Sequence, residues 1–127
     1  AALDDAQLLA SRYWPGALTM VLPASGPVVE LLNPGNVNIG MRVPACDLAL
    51  ELLENSGPLA TTSANISGSP PSLDGEITSN IFPGLPFLGP LPWPNASGLP
   101  STLVKWTNSG CWQLLRNGAV IVEEIQD

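Results

Sequence analysis

Val37-Asn38-Ile39-Gly40-Met41-Arg42-Val43, followed by Asp47-Leu48-Ala49-Leu50-Glu51-Leu52-Leu53-Glu54 and then Leu59-Ala60-Thr61-Thr62, is the stretch that decides the fold. Val37, Ile39, Met41 and Val43 alternate with smaller or polar residues, the period of a half-buried strand. Asp47 suits the start of a helix that Asn55 and Gly57 stop, since short polar residues cap helix entries and glycine closes their ends. That helix has apolar residues on most sides and is expected to be substantially buried. Leu59 to Thr62 reads as the next short strand. Strand, helix and strand in this order make a crossover unit. The expected class is therefore α/β, with both strands in one twisted mixed sheet and helices flanking it.

Upstream, Asp4 or Asp5 can cap a helix that ends before Pro15, because proline drives Trp14 out of the helical region. From Ala17 to Pro23, Leu18, Met20 and Leu22 alternate with Thr19 and Val21, a second strand. Val28 to Leu32 suits a helical turn, and Asn33-Pro34-Gly35-Asn36 is a tight turn. Residues 67–100 lose periodicity apart from a helical turn near Asp74-Gly75-Glu76-Ile77. Pro83, Pro86, Pro90, Pro92 and Pro94 forbid a long helix or a central strand there. This stretch reads as a long surface excursion within one domain, with Trp93 as a packing anchor. Thr102 to Trp106 and Trp112 to Leu115 form a hairpin around Thr107-Asn108-Ser109-Gly110. Ala119 to Val122 leads into Glu123-Glu124, read as the start of a final helix that reaches Asp127.

The 127 residues, 45% of them hydrophobic, suit one globular domain or a large piece of one. Four Lys+Arg against eleven Asp+Glu give a net charge of −7, which argues against binding a nucleic-acid backbone along the whole chain. A small anion held by one or two arginines remains compatible with it. Cys46 and Cys111 lack metal-ligand spacing, and there is no histidine to complete a zinc site. They read as two buried or half-buried thiols in a reducing compartment. No window is long and apolar enough to span a bilayer. The chain starts without methionine and inside a helix, so it reads as the later part of a longer protein.

Chemistry concentrates in a few places. Thr61-Thr62-Ser63-Ala64-Asn65-Ile66-Ser67-Gly68 places hydroxyls, a carboxamide and a glycine behind an apolar run. Such a stretch either caps the next segment as a polar turn or offers donors to a polyoxygenated ligand. Arg42, near a strand end, is either a surface ion-pair partner or a carboxylate ligand. Arg116 is either a solvated strand-end arginine or an anion ligand. Trp14 reads as a core aromatic. Asp4-Asp5 and Glu123-Glu124 read as solvated acids that complement helix dipoles. No general base, nucleophilic triad or redox centre emerges.

Arg12-Tyr13-Trp14-Pro15-Gly16-Ala17-Leu18-Thr19, Arg42-Val43-Pro44, Ser63-Ala64-Asn65-Ile66-Ser67-Gly68, Ser101-Thr102-Leu103-Val104 and Arg116-Asn117-Gly118 occur in that order. Together they resemble the YrdC-like family, the threonylcarbamoyl-adenylate synthases, from about Asp4 to Ile125. The resemblance implies a partial YrdC-like fold, with residues 1–127 forming the C-terminal portion of a single domain. The family's preceding segment, with its Lys/Arg motif, does not occur in this sequence. The implied activity is that of a nucleotidyltransferase that forms threonylcarbamoyl-AMP and pyrophosphate from L-threonine, bicarbonate and ATP, with Mg2+, for tRNA modification. Carried over position by position, Thr19, Asn65 and Arg116 contact ATP. Arg42, Ser63 and Ser101 contact threonine. All six are expected to converge on one cleft, and no protein metal ligand is implied.

The implied setting is cytoplasmic and away from membranes, upstream of the tRNA threonylcarbamoyl-transferase proteins. The acidic balance argues against direct RNA binding by this segment, and the chain alone is expected to be inactive. The alternatives are a non-catalytic nucleotide- or RNA-binding module of the same fold, and a degraded paralogue of structural value only. Three departures bear on activity. Pro100 stands where an acidic residue is usual, Leu73 where a hydroxyl is usual, and Asn117 where proline is usual.

Overall fold

The computed structural model describes residues 1–93 and 97–125, so Pro94 and Asp127, named above, lie outside the described residues. The chain divides into two compact units, Ala1–Ala45 with Leu99–Asp127, and Cys46–Gly98.

The first unit holds helix α1 (Ala2–Tyr13), strand β1 (Leu18–Pro23), helix α2 (Pro27–Leu32), strand β2 (Asn38–Met41) and the hairpin β3 (Thr102–Asn108) and β4 (Cys111–Arg116). The strands form one mixed sheet in the order β2-β1-β3-β4. β1 pairs antiparallel with β2 and parallel with β3, and β3 pairs antiparallel with β4. Alternation places Leu18, Met20, Thr102 and Val104 on the buried face of the sheet. Ala6 and Leu9 of α1 pack there, with Ala10 and Tyr13 beside them, a helical stripe spaced at three and four residues. Full burial of a side chain such as Leu9, Leu18 or Met20 stabilises by about 1.5–3 kcal/mol. The opposite face carries Thr19 and Val21 of β1, Leu103 and Lys105 of β3, and Arg116 of β4.

Several sequence expectations hold. Trp14 takes an extended conformation and closes α1 just before Pro15. β1, β2, the α2 turn and the hairpin form where periodicity placed them. Trp14 packs against the core, and its indole Nε1 donates to the Leu18 carbonyl at 2.8 Å.

Others do not hold. Leu59–Thr62 is not a strand, and it belongs to the second unit rather than to the sheet of β2. The parallel pair is β1 with β3, so the helix at 47–56 is not the crossover between two strands of this sheet. A short run of Leu, Ala and Thr has the composition of a strand, but composition supplies no pairing partner. The residue ahead of α1 is Ala1, without a side-chain cap, and Asp4 and Asp5 sit in the first turn. Asp5 is not simply solvated, because its Oδ2 accepts from Trp106 Nε1 and from the Gly110 amide, each at 2.8 Å. Glu123-Glu124 opens a turn rather than a helix. Glu124 accepts from Arg12 Nη1 at 2.5 Å and from the Tyr13 hydroxyl at 2.9 Å. Burial alone would raise the Glu124 carboxyl, but its own backbone amide, Arg12 and Tyr13 outweigh that and hold it below its ordinary value. Cys46 is half-buried as expected, but Cys111 is exposed, against the expectation of a buried or half-buried thiol.

The hydrogen bond from Trp106 first, then that from Gly110, lowers the Asp5 carboxyl below its ordinary pKa. A depressed carboxylate contributes stability that is complete above the unfolded value of about 3.9 and is lost as pH falls through the lower folded value. Asp5→Asn, which keeps an acceptor but no charge, is expected to be less stable than wild type at neutral pH. That gap should close on acidification below about pH 4. Thermal melts of both proteins from neutral to acid pH check this, and a constant gap would show that the charge is irrelevant.

In the second unit, α3 (Asp47–Ser56) follows Cys46, which makes no side-chain cap. No α3 residue is buried, against expectation. Helix α4 (Gly75–Ile81) extends the predicted turn, and Asp74 caps it by accepting from the amides of Glu76 at 2.7 Å and Ile77 at 3.3 Å. Trp93 is an anchor as predicted: its Nε1 donates to the Leu88 carbonyl at 2.6 Å, and its ring packs against buried Gly75.

Candidate functional site

Strand register builds a polar row on the open face of the sheet. In β1, Leu18 and Met20 face the core, so Thr19 faces away from it. Thr19 pairs with Leu103 in β3, and Leu103 pairs with Arg116 in β4. Thr19, Leu103 and Arg116 therefore stand side by side at one level. Met20 pairs with Met41, so one step further along the antiparallel register brings Arg42, just past β2, beside Thr19. Ser101 lies two residues before Leu103 and shares its face.

An irregularity in the hairpin places Arg116. Val104 pairs with Leu114, whereas Leu103 pairs with Arg116, which leaves Leu115 as an extra residue in β4. Without that bulge Arg116 would fall opposite Thr102, on the apolar face. One inserted residue turns the guanidinium to the polar face, as bulges commonly re-aim a side chain.

The hydrogen bonds follow from this placement. Thr19 Oγ1 and Ser101 Oγ are 2.7 Å apart, across 82 residues of sequence. Arg116 donates from Nε and Nη2 to the Ser101 carbonyl at 3.0 and 2.8 Å, and from Nη2 to Ser101 Oγ at 2.9 Å. A guanidinium fork on one oxygen fixes its plane, which a lysine cannot do. Ser101 is buried, so both its carbonyl and its hydroxyl require such partners. Arg42 donates from Nε to the Gly16 carbonyl at 2.9 Å, and the Gly16 amide donates to the Val43 carbonyl at 2.8 Å. That holds the Pro15-Gly16 turn against the end of β2. Arg42 keeps its two terminal nitrogens on an exposed side chain, the edge that matches a carboxylate.

Two further residues set this geometry, Thr102 and Gly118, which lie inside the sequence motifs but carry no site role there. Thr102 is 1% exposed; its hydroxyl donates to the Val120 carbonyl at 2.5 Å and accepts from the Val120 amide at 3.1 Å. Gly118 lies against the backbone of Pro100, Ser101 and Thr102, where a Cβ would come closer than the 3.0 Å that real Cβ atoms keep. Together with the Ala119 amide on the Pro100 carbonyl at 3.0 Å, they join the segment after Arg116 to the entry of β3. The available signals were a hydroxyl at a core-facing position and a glycine two residues after the arginine.

Of the six residues expected to converge, the structure brings Thr19, Ser101 and Arg116 into one hydrogen-bonded group and sets Arg42 beside it. Ser63 and Asn65 belong to the second unit. Ser63 is exposed there. Asn65 Nδ2 donates to the Ile66 and Ser69 carbonyls at 3.1 and 2.8 Å, so its carboxamide shapes the turn after it. Among the described residues no three His, Cys, Asp or Glu side chains group as a metal site. The row offers hydroxyls and guanidinium groups, a donor set unsuited to Mg2+, which prefers oxygen anions.

The sequence matches the Sua5/yciO/yrdC family model, described as Telomere recombination, over residues 2–118. The chain belongs to this family. It is 36% identical over 126 residues to the threonylcarbamoyl-AMP synthase of Pyrococcus abyssi, an alignment covering 97% of this chain and 36% of that protein. The Bacillus subtilis threonylcarbamoyl-AMP synthase is 32% identical over 136 residues, covering 98% and 36% respectively. The crystal structure of P. abyssi Sua5 complexed with L-threonine superposes with a TM-score of 0.77 at 36% identity, covering 91% of this chain and 34% of that one. The chain thus spans about a third of the length of these relatives. The YrdC-like resemblance and the mixed sheet with flanking helices hold, and the fold is that of a partial YrdC-like domain.

Proposed function

We propose that the chain is the later portion of a single YrdC-like domain in an L-threonylcarbamoyladenylate synthase, a nucleotidyltransferase. The observation that carries this reading is the Thr19–Ser101–Arg116 group with Arg42 beside it, in a chain whose relatives bear the synthase name over nearly all its length. The reaction joins the threonine amine to bicarbonate with loss of water. A carbamate oxygen then attacks the α-phosphorus of ATP, and the bond to pyrophosphate breaks. Each step needs alignment and charge stabilisation more than a proton relay, which suits a site without a general base.

In this reading Arg42 takes the threonine carboxylate, with Ser101 and Ser63 on the same substrate. Thr19, Asn65 and Arg116 serve ATP, and magnesium arrives with the nucleotide as part of the substrate. The product passes to tRNA threonylcarbamoyl-transferase proteins in the cytoplasm. No helix among the described residues is long and apolar enough to cross a membrane.

The chain by itself is expected to turn over little. It has only four Lys+Arg, and one of them, Arg12, is paired with Glu124. Too few cations remain to neutralise a triphosphate. The test is pyrophosphate release with ATP, threonine, bicarbonate and magnesium, run on this chain and on a longer protein that carries it. Threonine-dependent release by the longer protein and little by the chain is the expected pattern, with Arg42→Ala raising the threonine requirement. Nucleotide binding without threonine-dependent release in either protein would favour the non-catalytic binding module. Equal turnover by both would show that the required cations lie within these 127 residues.

A further inference from the structure

The charges of this chain are sorted by element. Among the described residues no Asp or Glu lies on a strand, whereas Lys105 and Arg116 lie on β3 and β4 and Arg42 directly follows β2. The pairing register also fixes the face of Lys105. Val104 and Trp106 are turned to the core and to α1: Val104 is fully buried, and Trp106 bonds Asp5. Lys105, between them, is turned to the other face, level with Val21 and Gln113. That is the face of Thr19, Leu103 and Arg116, one pleat further along. Lys105 stands two residues beyond Leu103, the partner of Arg116, so it is the diagonal neighbour of Arg116, about 7–8 Å away between backbones. Both side chains are long enough to converge on one ligand across that gap.

The placement is electrostatically one-sided. Like charges on neighbouring strands repel, and opposite charges there stabilise. The strands supply no carboxylate to offset Lys105 and Arg116, and the one ion pair among the described residues, Arg12 with Glu124, involves neither. A half-buried lysine in such a position gains from an anion that lies between it and the guanidinium. Arg116 already commits its Nε edge to Ser101, so it cannot grip a phosphate through that fork. A second cation is then needed to hold a chain of phosphates.

We propose that Lys105 is a phosphate-binding residue, which together with Arg116 holds the polyphosphate of a nucleotide, or the released pyrophosphate, on the open face of the sheet. The identity of the anion rests on the synthase reading; the site itself rests on register and charge.

The test is calorimetric titration of the chain with inorganic pyrophosphate, beside urea unfolding of every variant. Lys105→Ala is expected to weaken pyrophosphate binding about 10-fold or more, as for the loss of a charge-assisted hydrogen bond. Lys105→Arg should stay within about 3-fold of wild type, since it keeps a donor cation. Arg12→Ala removes the same formal charge away from the site and should leave affinity nearly unchanged. An equal loss in Lys105→Ala and Arg12→Ala would reduce the effect to net charge and overturn the proposal. Unchanged affinity in Lys105→Ala, or no binding by the wild-type chain at millimolar pyrophosphate, would overturn it too. The two readings fail separately. Lys105-dependent pyrophosphate binding without synthesis in a longer protein sinks the synthase reading alone, and synthesis with Lys105-independent binding sinks this one alone.

Discussion

Gly118→Ala is expected to destabilise the chain by about 3 kcal/mol, the upper part of the range for overpacking a rigid site. The added methyl would meet backbone atoms of Pro100, Ser101 and Thr102 at once, closer than real Cβ atoms approach. A flexible side chain could swing aside, but three consecutive backbone units cannot. They are held by the Thr102 amide on the Ala17 carbonyl at 2.9 Å and by the Ala119 amide on the Pro100 carbonyl at 3.0 Å. Relief requires the segment after Arg116 to lift off the entry of β3. That breaks the Thr102–Val120 pair of hydrogen bonds and draws Val122, 7% exposed, out of the core. Urea unfolding monitored by tryptophan fluorescence reads the loss directly. A change below about 1 kcal/mol would mean that the segment shifts freely and that Gly118 does not anchor it.

The same anchor explains what the sequence could and could not disclose. Elements fixed by local chemistry were readable: the stop of α1 before Pro15, the alternation of Leu18, Met20 and Leu22, and the hairpin around Gly110, whose φ of 73° suits glycine. Pairing across long separations was not. Val37–Val43 and Leu59–Thr62 both have strand composition, yet only the first finds a neighbour, because β1 is taken by β2 on one edge and by distant β3 on the other. Apolar content likewise predicted a buried α3, but burial depends on which surface meets a helix, not on its composition alone.

The polar row shows the same division. Thr19, Ser101 and Arg116 stand out in the sequence as motif residues, and they do meet. The reason they meet is a parallel register of β1 on β3 together with the extra Leu115 in β4. Neither leaves a periodic signature, and a count of alternating positions from Val104 would have turned Arg116 towards the core. Lys105 does not stand out in the sequence for a related reason. One lysine in an acidic chain carries no information until its face and its neighbours are known.

Arg116→Ala, made in the longer protein proposed above to carry synthase activity, is expected to lower kcat/KM for ATP by about 10²–10³-fold, the scale seen when a preorganised donor is removed from developing charge. Two losses combine. The nucleotide loses a cation, worth roughly 1.5–3 kcal/mol as a charge-assisted hydrogen bond. The Ser101 carbonyl and hydroxyl also lose all three bonds that Arg116 gives them, which frees the hydroxyl that Thr19 Oγ1 meets at 2.7 Å. Stability should fall far less than activity, by about 1 kcal/mol, because Arg116 is exposed while Leu18, Met20 and Val104 beneath the sheet are untouched. Arg116→Lys separates the two losses. Lysine restores the charge but cannot hold one carbonyl through two parallel donors, so it should recover only a small part of the rate. Pyrophosphate release at varied ATP, with urea midpoints for each variant, makes the comparison. Full recovery by lysine would reduce Arg116 to a point charge. Activity within about 3-fold of wild type in Arg116→Ala would remove it from the site altogether.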